Sequence, residues 1–212
     1  MPIGLLITIE GIDGAGKSTL AAGLHDALAE RGLDVLLVRD PGGVELSEQL
    51  RAMLADPRLS IAPRAEAMLY GAARAQLVQE LLAPAIGEGV IVVVDRFTDS
   101  SVAYQGAGRG LGIERVRSLN DFATGVLRPD RTLLLKLPTE VALRRVAEAG
   151  RGGERLEREP EAFFKEVAAE YDQIAAAEPD RVAVIDASAP PEAVLGAALE
   201  ALEGALAAQA PD

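Results

Sequence analysis

The feature that most constrains this chain is a short run, Gly11-Ile12-Asp13-Gly14-Ala15-Gly16-Lys17-Ser18, set between two patterned segments. Before it, Leu5 to Ile9 is an apolar stretch that reads as a buried strand. After it, Leu20, Leu24 and Leu28 form the stripe of an amphipathic helix that stops at Gly32. The run satisfies G-x-x-x-x-G-K-[ST]. Its glycines let successive backbone N–H groups turn inward around phosphate oxygens where a Cβ would block the approach. The helix that follows adds the positive end of its dipole. Lys17 then reaches the β and γ oxygens, and the Ser18 hydroxyl ligates Mg²⁺. In its strand–helix setting the run is a phosphate cradle. The expected ATP contacts are Gly11, Ile12, Asp13, Gly14, Ala15, Gly16, Lys17, Ser18 and Thr19.

The rest of the chain repeats the alternation. Asp34–Val38, Val90–Val94, Thr132–Leu137 and Val182–Ile185 read as further strands; Val90–Val94, wholly β-branched, suits one buried on both faces. Helical pattern covers Glu45–Leu54, Pro63–Ile86, Ile113–Leu127, Glu140–Ala149, a stretch from about Pro160, and Pro191–Ala208. The prediction is an α/β protein: a three-layer P-loop NTPase fold, its five-stranded parallel sheet flanked by helices on both faces. No internal repeat or long linker interrupts it, so residues 1–212 read as one domain. A chain of this length can bury a core without disulfides or metals. With 49% hydrophobic residues but only 3% aromatic, that core must be built mainly from Ala, Leu, Val and Ile.

Composition removes several functional classes. Cys is absent, which excludes a disulfide framework, a thiolate zinc site and cysteine catalysis, and fits a cytoplasmic location. No apolar run reaches the ~18 residues of a membrane span, and Met1–Glu10 lacks the basic region of a secretory signal. A formal net charge of −12 argues against non-specific binding of nucleic acid. No Asn-Lys-x-Asp segment is present to read guanine. A phosphorylated small molecule remains compatible, provided cations gather locally.

Two places gather them. Asp95-Arg96 directly follows the Val90–Val94 strand, and ligands of open parallel sheets bind beyond the carboxyl ends of strands. There Asp95 can hold Mg²⁺ or its water shell, and Arg96 can clamp a phosphate bidentately. Tyr70 and Arg74, one helical turn apart among small residues, project from one helix face. A ring beside a guanidinium suits a base and its phosphate.

These residues resemble the thymidylate kinase family. The resemblance rests on Thr8-Ile9-Glu10 through Ser18-Thr19, on Pro41-Gly42-Gly43, and on Tyr70-Gly71-Ala72-Ala73-Arg74. Most telling is Asp95-Arg96-Phe97-Thr98-Asp99-Ser100-Ser101-Val102-Ala103-Tyr104-Gln105-Gly106, continuing to Gly108-Arg109-Gly110. Arg128-Pro129-Asp130 and Ile185-Asp186-Ala187 also fit, in the right order. The resemblance implies a nucleoside monophosphate kinase fold and transfer of the γ-phosphoryl group of ATP to dTMP, with Mg²⁺, by a homodimer. It implies that Tyr70 stacks on thymine and that Arg74 and Arg96 bind the acceptor phosphate. Ser100 and Ser101 would line the base pocket, and Tyr104 would pack under the deoxyribose. Asp13 would contact the 3′-hydroxyl and the metal region, and Asp40 and Gln105 join the dTMP contacts. The Asp40–Pro41 peptide is expected to be cis.

An anionic acceptor oxygen needs no general base; it needs positioning and charge cancellation. Some members of the family supply an arginine from the P-loop, others from a lid. Gly14 stands at the P-loop position, so Arg151-Gly152-Gly153-Glu154-Arg155-Leu156-Glu157-Arg158 is read as part of a lid at about 150–158 with Arg155 as its catalytic arginine. The expected catalytic set is Lys17, Arg96, Arg155 and Asp13, with Ser18 and Asp95 at the metal. Asp40 replaces a usual Glu, Lys136 a usual Asp and Val44 a usual polar residue. The alternatives are a kinase for dUMP or CMP, or a P-loop binding protein without catalysis.

Overall fold

The computed structural model describes residues 4–150 and 153–207. Five strands form one sheet: β1 (Leu6–Glu10), β2 (Val35–Arg39), β3 (Ile91–Asp95), β4 (Arg131–Lys136) and β5 (Val182–Asp186). Their order is β2-β3-β1-β4-β5 and every pairing is parallel. The strands lie where the apolar runs placed them. The pleat of β3 splits its side chains between two cores. Val92 and Val94 pack with Leu6, Val38, Leu77, Leu82 and Phe97 on one face. Ile91 and Val93 pack with Ile7, Ile9, Leu24, Leu28 and Leu133 on the other.

The helices are α1 (Lys17–Glu30), α2 (Glu45–Ala55), α3 (Pro63–Leu77), α4 (Ala83–Gly87), α5 (Thr98–Ser101), α6 (Ile113–Thr124), α7 (Thr139–Glu148), α8 (Glu161–Ala177) and α9 (Pro191–Leu206). The single helix expected over Pro63–Ile86 is widened into a π segment at Val78–Leu82. Pro84 lies just beyond it and cannot donate to a preceding carbonyl, which disturbs the regular ladder there. The helix expected over Ile113–Leu127 stops at Thr124, because Gly125 takes the left-handed conformation (φ +60°) and closes it. Residues after Arg96, to which the sequence pattern assigned no element, form α5 and a π segment, Val102–Gly108.

The sheet's order decides where a ligand can sit. β1 is central, and the chain leaves it for β2 on one side and later for β4 on the other. The carboxyl ends of β1, β3 and β2 therefore bring the P-loop, Asp95–Arg96 and Arg39–Asp40 side by side, at the crevice such sheets use. Lys136, the departure at the end of β4, reaches Asp172 of α8 at 2.6 Å on the surface. Asp40–Pro41 is cis.

Candidate active site

Gly16, in the left-handed conformation (φ +94°), caps α1, and no side chain occupies the cap. Nor does the first turn of α1 hold an acidic residue. The N–H groups of that turn and the helix dipole are left for an anion. Gly14 (φ +83°) has a further reason to be glycine: a Cβ there would meet the carbonyl oxygen of Ala142 in α7 at 2.2 Å. α7 is clamped over the loop, and no arginine fits at this position. Lys17 is buried and donates to the Ile12 carbonyl at 2.9 Å. Burial and the neighbouring Arg96 draw its pKa down to about 8, against the pull of Asp13 and Asp95. The Ser18 hydroxyl donates to Asp95 at 2.9 Å, so both proposed metal ligands meet at one point.

Arg96 follows β3 with φ +68°, a conformation that non-glycine residues rarely adopt. Such strain costs on the order of 1–3 kcal/mol and needs support from its surroundings. Glu10, fully buried at the end of β1, supplies it. One Glu10 oxygen accepts the N–H groups of Phe97 (2.8 Å) and Ser100 (3.3 Å), the other the hydroxyls of Ser100 (2.5 Å) and Tyr171 (2.9 Å). Burial and the charge of Asp99 push its carboxyl up, although those hydroxyls and Arg96 oppose the shift. The turn sends the Arg96 side chain back over the P-loop. Its guanidinium donates to Asp13 (2.5 Å), the Gly11 carbonyl (3.0 Å), Ser100 (3.2 Å) and the Tyr104 hydroxyl (3.2 Å). Tyr104 in turn donates to Asp13 at 3.0 Å. Burial disfavours the Asp13 charge, yet Arg96 and Lys17 hold its carboxyl below its usual range.

Arg74, deep in α3, is almost fully buried and pairs with Asp40 (2.5 Å), Asn120 (2.7 Å), Ser101 (3.0 Å) and the Phe97 carbonyl (3.2 Å). Desolvation pushes the Asp40 carboxyl up against the pull of Arg74. The other Asp40 oxygen, Oδ1, is buried and accepts no hydrogen bond from the protein.

Two cavities meet here. The first is lined by Tyr70, Arg74, Ser100, Ser101, Tyr104 and Gln105, so a ring, a guanidinium and several hydroxyl and amide groups face one space. The second is a larger cleft lined by Gly14, Gly16, Lys17, Ser18, Thr19 and Asp95. Asp13, Asp40 and Arg96 belong to both walls. Gly11, Ile12 and Ala15 lie buried behind the loop surface. Arg155 is not brought into either cavity. Its guanidinium donates to Glu66 (2.6 Å) and to the Leu54 carbonyl (3.1 Å). Arg151 lies outside the described residues, and Arg158 is exposed.

Sequence reading missed several side chains of the site. Arg51 of α2 lines both cavities, and Arg145 of α7 lines the cleft while donating to the Ala187 carbonyl at 3.1 Å. Arg145 meets Ala187 only in the folded chain, across 42 residues, so the sequence carried no signal for it. Glu66 and Asn120 carried none either; Glu10 lay in the Thr8–Thr19 block, which gave no hint of its partners.

The thymidylate kinase family model matches residues 9–197, nearly the whole chain. The chain belongs to the thymidylate kinase family. It is 44% identical to a thymidylate kinase of Alkalilimnicola ehrlichii, over 97% of this chain and 95% of that relative. To one of Desulfovibrio desulfuricans it is 47% identical, over 95% and 96%. The fold is similar to the crystal structure of a thymidylate kinase from Ehrlichia chaffeensis, with a TM-score of 0.76 and 28% identity, covering 95% of this chain and 99% of that one. As a thymidylate kinase family member it is an enzyme of the nucleoside monophosphate kinase class, with the five-stranded α/β fold that class uses.

Proposed function

We propose that this protein moves the γ-phosphoryl group of ATP onto the phosphate of dTMP, giving dTDP and ADP. The observation that supports this most is the shared wall: Asp13, Asp40 and Arg96 border both the P-loop cleft and the cavity lined by Tyr70 and Arg74. A donor in one and an acceptor in the other would have their phosphates facing across it. Transfer between two anions then asks for alignment and charge cancellation. Lys17 and the open N–H groups of α1 hold the donor end, and Arg96 reaches the acceptor phosphate from the opposite side. Tyr70 provides a neutral ring for the base, and burial and Glu66 push its phenol pKa further up. Tyr104, fixed between Arg96 and Asp13, fills the space beneath the sugar.

Mg²⁺ fits what is present. Ser18 and Asp95 offer hard oxygens 2.9 Å apart. Among the described residues no group of three or more His, Cys, Asp or Glu could hold a metal alone. That suits an ion bound by one or two protein oxygens plus substrate phosphates. When bound it would neutralise charge on the transferred group.

Residues 1–212 are proposed as one catalytic domain, with the segment about 150–158 as its lid and Arg155 as the arginine the lid contributes. A homodimer is also proposed. Met68 of α3, Phe122 of α6 and Val126 just beyond it are large apolar side chains left exposed on adjoining elements. Val126 is moreover held at φ +63°. A cytoplasmic setting is proposed as well; among the described residues no helix is long and apolar enough to cross a membrane. Coupled ADP release with ATP, Mg²⁺ and a panel of monophosphates tests the reading. dTMP should lead, with dUMP behind by a methyl group's ~1–3 kcal/mol. Preference for CMP or AMP would overturn it.

A further inference from the structure

Glu66 has appeared so far only as a partner of Arg155 and a neighbour of Tyr70, yet it gathers side chains from both the acceptor cavity and the lid. It stands in the first turn of α3 with no exposed surface. Three side chains, from two segments distant in sequence, reach it. Gln105 donates its Nε2 at 2.9 Å from the cavity wall. Arg109, just after the π segment, donates at 3.2 Å through Nε and lies 3.1 Å away through a terminal nitrogen. Arg155 donates at 2.6 Å from the segment beyond Gly153. The backbone of Arg155 also donates to the Ala55 carbonyl at 3.0 Å, and Arg109 bridges on to Glu159 at 2.7 Å.

Each contact has a consequence. A carboxylate only accepts hydrogen bonds, so it must face the amide nitrogen of Gln105 and leave the carbonyl oxygen for a ligand. It thereby fixes which end of that amide an incoming base meets. The same carboxylate is the buried counter-charge that seats Arg155, and with it residues 153–159, against α2 and α3. A single buried group thus ties the acceptor pocket to the lid.

We infer that Glu66 is a positioning residue for the acceptor: it orients Gln105 toward the base and holds the lid segment down through Arg155. This rests on the function proposed above. The test is Glu66→Gln, compared with wild type by Michaelis constants for both substrates and by hydrogen exchange over residues 153–159. Glutamine can donate as well as accept, so the Gln105 amide loses its enforced orientation and Arg155 loses its counter-charge. The KM for dTMP should rise about ten-fold or more, as loss of a charged hydrogen bond implies. The KM for ATP should stay within about two-fold, and the lid segment should exchange faster. A folded variant with wild-type dTMP KM and wild-type lid protection overturns the inference.

Glu66→Gln leaves two arginines short of charge and could fail to fold. The pair Glu66→Gln with Arg109→Gln removes that imbalance at a residue outside the proposed catalytic set and should fold, with dTMP KM still raised; a wild-type dTMP KM in the pair also overturns the inference. Wild-type protein that released no ADP with dTMP would refute the functional reading, while exchange at 153–159 would still decide the role of Glu66.

Discussion

Lys17 shows how a binding residue is costly until its ligand arrives. Ordinary lysine titrates at 10.5, and here burial beside Arg96 draws the value down to about 8. Below pH 8 both folded and unfolded chains hold the proton, and the folded state bears the whole penalty, on the order of 3 kcal/mol. As pH rises from about 8 toward 10.5 the folded protein has already released its proton, and the penalty disappears. Lys17→Met should therefore be more stable than wild type at pH 7 and inactive in transfer. Its stability advantage, read from urea unfolding, should shrink as pH passes 8; a constant gap would contradict this account. Gly14→Ala should fail differently, by forcing α7 away from the P-loop. ATP binding measured by calorimetry should fall by at least about ten-fold, and unaltered binding would argue against the clamp. At this scale the P-loop and Asp95–Gln105 were legible because glycines, charges and hydroxyls recur at fixed spacing. Glu10 and Glu66 were not, because a carboxylate in a strand or helix shows no partner. Theirs lie up to 161 residues away, as with Tyr171 and Glu10.

At the scale of elements, α3 is the wall of the acceptor pocket and the seat of the lid. The spacing of Tyr70 and Arg74 showed the shared face, but not that Arg74 is committed to Asp40, Asn120 and Ser101. That network crosses from α3 to the end of β2, α6 and α5, and only the tertiary fold assembles it. Arg74→Lys keeps the charge but cannot satisfy a planar set of partners. We expect a lower melting temperature and a raised KM for dTMP with ATP affinity kept; a change confined to ATP would refute this. The helix running from Thr98 to Gly108 escaped sequence reading because its glycines, serines and β-branched residues have weak helical propensity. Packing of α8 and α6 against it, with Tyr104 and Val102 in the core, overrides that preference. Arg155→Ala should lower kcat by about 10²-fold or more with modest effect on ATP binding, which single-turnover kinetics would show. Unchanged kcat would remove Arg155 from the catalytic set.

For the molecule as a whole, five apolar runs alternating with helical stripes were enough to give the parallel sheet. They could not give its strand order, which depends on which way each crossover folds. The order matters because it places the ends of β2, β3 and β1 together and so creates the double cavity. Oligomeric state was likewise invisible in composition and now rests on exposed Met68, Phe122 and Val126. Phe122→Asp should convert a dimer, seen by light scattering, into a monomer of one chain's mass; a wild-type protein already monomeric would refute the dimer.

The most direct test of the central claim follows the transferred group itself. With ATP labelled in its γ-phosphate, Mg²⁺ and dTMP, the account predicts that label appears in dTDP in step with ADP. Label released only as inorganic phosphate, or no dTMP-dependent transfer, would contradict it.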